Sequence, residues 1–432
     1  MKALQMGQDH TPNPARRANF NGWQGAAKAS LKTGAAALAA MALAGCSYSY
    51  SAADGADGAA GAPATLGAVQ TITVEDRDPA DLQVLFWTDA QRAERFREMD
   101  RWFAGQNVPA ATQTRQLAKG APLPDDIVAT IRDTMAQSGA AGVMVYHKGA
   151  VRFEGYGLGF GPEQRWTSFS VAKSFTSTLL GAALQDGFIA SLDDPVTTYV
   201  PELAGSAYDG VSVRQIATMT SGVAWNEDYT DPKSDVAQMN NFIIEYGENA
   251  MIEQLKRLGR ETAPGEKWVY KTGETNLIGM VIENAVGLSL AEYAQEKIVE
   301  PAGFEGDLFW MSDPRGGSIG GCCLSLRLAD YTRMGIFALE GDNGPASGIV
   351  PAGWFAEAGA PLVEFGDTGY GYGYQWWTYP GGYGAQGIFG QSITIVPQAE
   401  LVVTVLSNWT VASGSEYRAK WGEISARIAL SE

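Results

Sequence analysis

Residues 166–187 read WTSFSVAKSFTSTLLGAALQDG. Apolar positions recur there with a helical period, and Gly187 stands where a helix C′ residue stands, so the spacing predicts a helix with Ser170 in its first turn. Ser170 is the one serine in the chain placed three residues ahead of a lysine, Lys173. Side chains at i and i+3 share a helix face, which puts the Lys173 amine within reach of the Ser170 hydroxyl. The spacing alone says little, because a chain of this size and ordinary composition supplies about one such match by chance. Its setting adds to it. Trp166, Phe169, Val171 and Phe175 surround the lysine with apolar bulk, and desolvation favours a neutral amine over an ammonium whose ordinary pKa is ~10.4. The helix N-terminus also offers backbone N–H groups where an oxyanion would develop. The plain alternative is a surface serine and lysine on an ordinary helix.

Composition narrows the chemistry such a serine can join. The 432 residues contain two histidines, His10 and His147. His147 sits in GVMVYHKGAVRFEGYG (142–157), where two β-rich runs flank HKGA as in a hairpin. A Ser-His-Asp hydrolase needs a histidine to carry the serine proton, and a multi-histidine zinc hydrolase needs several. Both classes are close to excluded, and lysine is the usual substitute base. No metal and no cofactor is expected.

The first 45 residues read as an export signal: Arg16, Arg17, Lys28 and Lys32 precede the small apolar run GAAALAAMALAG. That run is too short for a permanent membrane span. It ends in LAGC, which resembles a bacterial lipobox with Cys46 as the lipidated residue; an ordinary cysteine after signal cleavage is the other reading. Residues 46–84 begin Gly- and Ala-rich and read as a flexible tether, leaving residues 85–432 for a catalytic domain with an N-terminal helical extension around DAQRAERFREMDRWFAG (89–105). Losing the five Lys or Arg and the one Asp of residues 1–45 takes the formal net charge from −17 to −21. Nucleic acid, which demands a basic face, is not an expected partner. Cys322 and Cys323 are adjacent and cannot staple distant segments; they are either two small buried residues or a vicinal disulfide.

GEKWVYKTGETNLIG (265–279) poses a separate question. K-T-G is a box of penicillin-recognising serine enzymes, where it lies on a strand. Here Leu277, Ile278, Val281 and Ile282 follow at helical spacing, so residues 271–273 lie where an extended piece turns into a helix, and Tyr270 becomes the residue of interest.

Four stretches together resemble the serine hydrolases of the β-lactamase class C fold, in their 6-aminohexanoate-dimer hydrolase and family VIII-type esterase branch. They are SFSVAKSFTSTLLGAALQDGFIASLDDPVTTYVPEL, VRQIATMTSGVAWNEDYTDPKSD, PGEKWVYKTGETNLIGMVIENAVG and GAQGIFGQSITIVPQAELVVTVLSN. The resemblance implies an α/β (α+β), β-lactamase/transpeptidase-like fold, with an antiparallel sheet flanked by helices and a mainly helical second lobe. It implies a catalytic Ser170, Lys173 and Tyr270, an oxyanion hole from the backbone of Ser170 and Ile388, and substrate contacts from Tyr229, Gln386 and Gly387. Ala385-Gln386-Gly387 takes the place of the K-T-G strand. The lysine that would grip a β-lactam carboxylate is thereby Ala385, which favours small amide or ester substrates without that carboxylate. A β-lactamase or D-Ala-D-Ala peptidase, and a non-catalytic ligand-binding surface lipoprotein, are the alternatives. The expected location is the bacterial cell envelope, on the outer-membrane or periplasmic side, with membrane contact only through a lipid on Cys46. Fractionation tests this: wild type should sediment with membranes and Cys46→Ala should be released, whereas an unlipidated soluble wild type contradicts the reading.

Overall fold

The structure is a computed structural model and describes residues 66–74 and 77–431. Its main sheet has eight antiparallel strands, in the spatial order Ala150–Tyr156, Ala140–His147, Leu401–Ser407, Gln391–Val396, Gly382–Gly387, Trp377–Tyr379, Gly371–Tyr372 and Val363–Glu364. Pieces from both ends of the domain thus meet in one sheet, with Leu401 opposite His147 and Val405 opposite Val143. The turn at Lys148-Gly149 has φ of 51° and 84°, the left-handed pair that lets a two-residue hairpin follow the strand twist.

Strand periodicity divides the core. Val143 and Val145 point to one face, with Val403 and Val405, and are covered by the helices Asp125–Ser138 and Ser415–Ala429 through Ile127, Ile131, Trp421 and Ile428. Met144 and Tyr146 point to the other face, with Val402 and Ile393, under the helix Leu328–Glu340. Gly335 lets that helix settle on the sheet: a Cβ there would come within 2.5 Å of Val402.

A second sheet, not foreseen from the sequence, has five antiparallel strands of two to four residues: Gln70–Ile72, Gly105–Val108, Leu308–Met311, Leu324–Leu326 and Trp166–Thr167. Pieces this short carry no readable alternation. Gln70–Ile72 pairs with residues 105–107, so the ordered fold begins before residue 70 and not at 85, and the proposed tether is at least that much shorter. The extension helix is broken into Asp89–Arg95, opened by a Thr88–Gln91 capping box, and Met99–Trp102. Residues 1–65, which hold the export signal, Cys46 and the first part of the proposed tether, lie outside the described residues.

Helices dominate the chain between the Ser170 segment and residue 340. Two matter for the site. Ala172–Gln185 is preceded by a 3-10 turn at Phe169–Val171, and Thr272–Val286 ends at Gly287, whose φ is 80°.

Candidate active site

The second sheet aims the serine. Trp166–Thr167 is its edge strand, and the chain leaves it through Ser168, whose N–H donates to Leu324 O at 2.8 Å and whose Oγ accepts from Leu324 N at 3.0 Å. Phe169 then takes φ of 44°, a left-handed conformation costly for a bulky residue, on the order of 1–3 kcal/mol. Its ring is wedged between Phe96 and Phe389, at centroid distances of 4.9 and 5.4 Å. This sharp turn leaves Ser170 partly exposed among fully buried neighbours.

Lys173 lies one turn on and is 1% exposed. Its Nζ donates to Thr272 Oγ1 at 3.0 Å and to the Gly321 carbonyl at 2.8 Å, and sits 5.3 Å from the centre of the Tyr270 ring. Burial pulls its pKa down to about 8, against the opposing pull of the Glu227 charge. Tyr270 arrives from the extended piece before the helix Thr272–Val286. Its phenol faces the Ser170 hydroxyl, and its ring stacks on Trp377 at 5.5 Å. Burial, helped by Glu227, pushes the phenol's pKa well above its ordinary value, so Tyr270 keeps its proton at neutral pH. Ser170, Lys173 and Tyr270 are thus gathered at one place.

The strand Gly382–Gly387 runs up against the turn that carries Ser170. A Cβ on Gly387 would lie 2.5 Å from Ser168 O and 3.1 Å from Ser170 N, so only glycine permits this approach. Gln386 is half-buried beside it, Ala385 is buried, and Ile388 opens the turn that follows. Tyr229 is half-buried, and its hydroxyl donates to Glu227 Oε1 at 2.9 Å.

Three contributors escaped the sequence. Glu227 lies two residues from Tyr229 in an acidic, loop-like string that gives no sign of which carboxylate turns inward. Thr272 hid inside the K-T-G string. Arg418 comes from the C-terminal helix, donates to Gly387 O at 2.7 Å and faces Tyr270, Tyr229 and Tyr379; its burial lowers its pKa to about 10. None of the described carboxylates pairs with it, so a cation borders the site although residue 385 does not supply one. Cys322 and Cys323 follow Gly321 directly, and Cys323 is buried.

Two residues stay out of the cluster. His147 is sealed at the end of its strand with neither ring nitrogen hydrogen-bonded, and burial lowers its pKa. Lys271 is fully buried, donates to Val269 O at 3.3 Å and pairs with the equally buried Glu274 at 3.5 Å. Burial pushes the Glu274 carboxyl up to about 7, and Ser221 donates to it as well.

The arrangement sets a partly exposed serine beside a buried lysine. The beta-lactamase family model matches residues 127–315. The 6-aminohexanoate-dimer hydrolase of Paenarthrobacter ureafaciens is 30% identical over 319 residues, covering 70% of this chain and 80% of the relative. A beta-lactamase of Yersinia enterocolitica is 28% identical over 184 residues, 40% of this chain and 43% of its own. Among solved structures, a Bacillus anthracis protein assigned provisionally as a 6-aminohexanoate-dimer hydrolase superposes with a TM-score of 0.70 at 20% identity, over 78% of this chain and 93% of its own. A D-stereospecific amidohydrolase from Streptomyces sp. gives 0.55 at 20% identity, over 69% and 98%. The chain belongs to the beta-lactamase family and is a serine hydrolase of the β-lactamase fold.

Removing one member of a buried ion pair strands the other charge, at about 3–5 kcal/mol. Lys271→Ala should therefore lower the melting temperature markedly while the folded fraction keeps its kcat. A variant with wild-type stability and a raised KM for anionic substrates would restore Lys271 as a ligand of the cleft.

Proposed function

We propose that this chain hydrolyses small amides or esters through an acyl-enzyme on Ser170, with Lys173 as base and Tyr270 as proton carrier. The observation that carries the reading is the meeting of three unlike groups: a reachable hydroxyl, a buried amine with a lowered pKa, and a phenol facing that hydroxyl.

In the first step Ser170 Oγ attacks the carbonyl carbon and its proton passes to the neutral Lys173 amine. The carbonyl oxygen takes up negative charge beside the Ser170 and Ile388 backbone N–H groups. As the C–N or C–O bond breaks, Tyr270 gives its proton to the leaving amine or alkoxide and is reprotonated by the Lys173 ammonium. A water then attacks the ester carbon and gives its proton to the same pair, which passes it to Ser170 Oγ as the C–Oγ bond breaks, releasing the acid and restoring the neutral amine and the free hydroxyl. Tyr270 suits the carrier role because its raised pKa keeps the proton on oxygen until a stronger base forms.

The substrate class follows from the surroundings. Trp268, Tyr372, Trp377 and Phe365 pack with Tyr270 into an aromatic wall, with Trp268 and Phe365 centred 4.6 Å apart. Such a wall suits an apolar or extended linear chain. The relative named for hydrolysing 6-aminohexanoate dimer makes linear amides the first substrates to try. β-Lactam turnover is the second reading: Arg418 could hold a carboxylate that Ala385 cannot. We also propose a lipid anchor at Cys46; no single described helix is long and apolar enough to cross a membrane.

Ser170→Ala should abolish both ester hydrolysis and fluorophosphonate labelling with the fold intact, and retained activity would sink the assignment. Tyr270→Phe removes only the phenolic oxygen with its proton and should lower kcat by ~10² to 10⁴. For kcat/KM on a neutral p-nitrophenyl ester, the active form is deprotonated Lys173. The rate should rise with pH to a plateau, with its midpoint near about 8. A profile flat from pH 6 to 10 would remove lysine as the base. Parallel assays with nitrocefin and 6-aminohexanoate dimer separate the two substrate readings.

A further inference from the structure

Glu227 has no role in the proton path just described, yet it holds the groups packed around that path and its charge reaches Lys173 and Tyr270. Its Oε2 accepts from the Thr272 backbone N–H at 2.9 Å and from Trp225 Nε1. Its Oε1 accepts from the Tyr229 hydroxyl at 2.9 Å and from Thr272 Oγ1. A carboxylate has about four lone-pair sites, and here all four are taken. Glu227 is therefore closed to a substrate ammonium, and its charge serves the protein itself.

The consequence lies in the direction of one hydroxyl. A hydroxyl has one proton to give. If Thr272 gives its proton to Glu227, its oxygen can only accept from Lys173, 3.0 Å away. The Gly321 carbonyl has no proton and must accept as well, at 2.8 Å. A neutral lysine amine has two N–H bonds and one lone pair. With both N–H bonds spent on Thr272 and Gly321, the lone pair is left for the remaining polar groups, Ser170 and Tyr270. Without the carboxylate, the Thr272 hydroxyl could turn and donate to that lone pair, quenching the base.

We propose that Glu227 is a positioning residue that fixes the Thr272 hydroxyl as an acceptor toward Lys173, so that the lysine lone pair stays available to the nucleophile. The inference rests on the reading of Lys173 as base. Charged and titratable groups bear on it from every side. Glu227 faces Lys173, Tyr229, Tyr270 and Tyr372, and Tyr229 and Tyr270 in turn face Arg418.

Glu227→Gln is the direct test, because the amide keeps the shape. Its oxygen can still accept from Thr272 N, but its NH2 then faces Thr272 Oγ1 and frees the hydroxyl proton to turn on Lys173. The plateau of kcat/KM, and the rate of fluorophosphonate labelling of Ser170, should each fall about tenfold or more. The acidic limb should also move to lower pH, since the charge holding up the Lys173 pKa is gone. In a Thr272→Val background, where no hydroxyl can turn, Glu227→Gln should cost little more, and Thr272→Ser should regain most of what Thr272→Val loses. A packing role alone would lower the melting temperature and leave the limb in place. Unchanged labelling with an unmoved limb would overturn the proposal, as would an equal loss from Glu227→Gln with and without the Thr272 hydroxyl. If Glu227→Gln fails to fold, the Thr272→Val and Thr272→Ser pair decides: equal labelling rates in the two refute the hydroxyl's part. Loss of activity in Ser170→Ala together with labelling at Ser170 tests the underlying reading separately.

Discussion

A lysine side chain sealed from water is the constraint on which the rest of the structure depends. Burying an ammonium is costly unless acceptors and an opposite charge replace the water it loses. Around Lys173 those replacements come from three distant parts of the chain: Thr272 from the start of one helix, the Gly321 carbonyl from the segment before a short strand, and the Glu227 charge from a loop. Gly320 and Gly321 are needed for that segment to come close enough. A Cβ on Gly320 would meet Thr275 O at 2.6 Å, and one on Gly321 would meet Thr272 O at 2.9 Å. The compensation is incomplete, and burial brings the amine's pKa down to about 8, into a range where the neutral form is populated.

A second constraint is the contact between the sheet edge and the turn that carries Ser170. Two non-glycine residues with positive φ, Phe169 and Phe389, stand on either side of it, and their rings pack on each other. Between them Gly387 removes the one side chain that would keep the strand away. Behind the turn, the buried Gln391 accepts from Trp166 Nε1 and Ser407 N and donates to Ile388 O and Ser407 O. Strain at the two phenylalanines is thus held in place by a satisfied polar network and an aromatic core. That is how strained backbone at a site persists.

Much of this was legible in the chain. The helix bearing Ser170 and Lys173, the hairpin at His147, the helix after Tyr270 and the closing pair of strands all carry long periodic patterns or turn chemistry that tertiary context did not override. The five-stranded sheet was not legible, because two to four residues hold too few alternations to stand out from loop. Glu227 and Arg418 were not legible for a different reason. Each is one charged residue among many on a chain with 48 acidic and 31 basic side chains, and only its place in space sets it apart.

The sequence by itself determined the local chemistry: a serine and lysine on one helix face, a tyrosine at a helix entrance, and a shortage of histidine that removes the common base. These are short-range facts, set by spacing along the chain and by which side chains exist. Only the tertiary structure decided that Lys271 belongs to the core, that Thr272 and Gly321 hold the lysine, that Glu227 stands behind Thr272, and that Arg418 returns a cation to the cleft. Those outcomes depend on desolvation and on hydrogen bonds between residues dozens to hundreds of positions apart. Neither is encoded locally, because the energy of a buried charge is a property of everything packed around it.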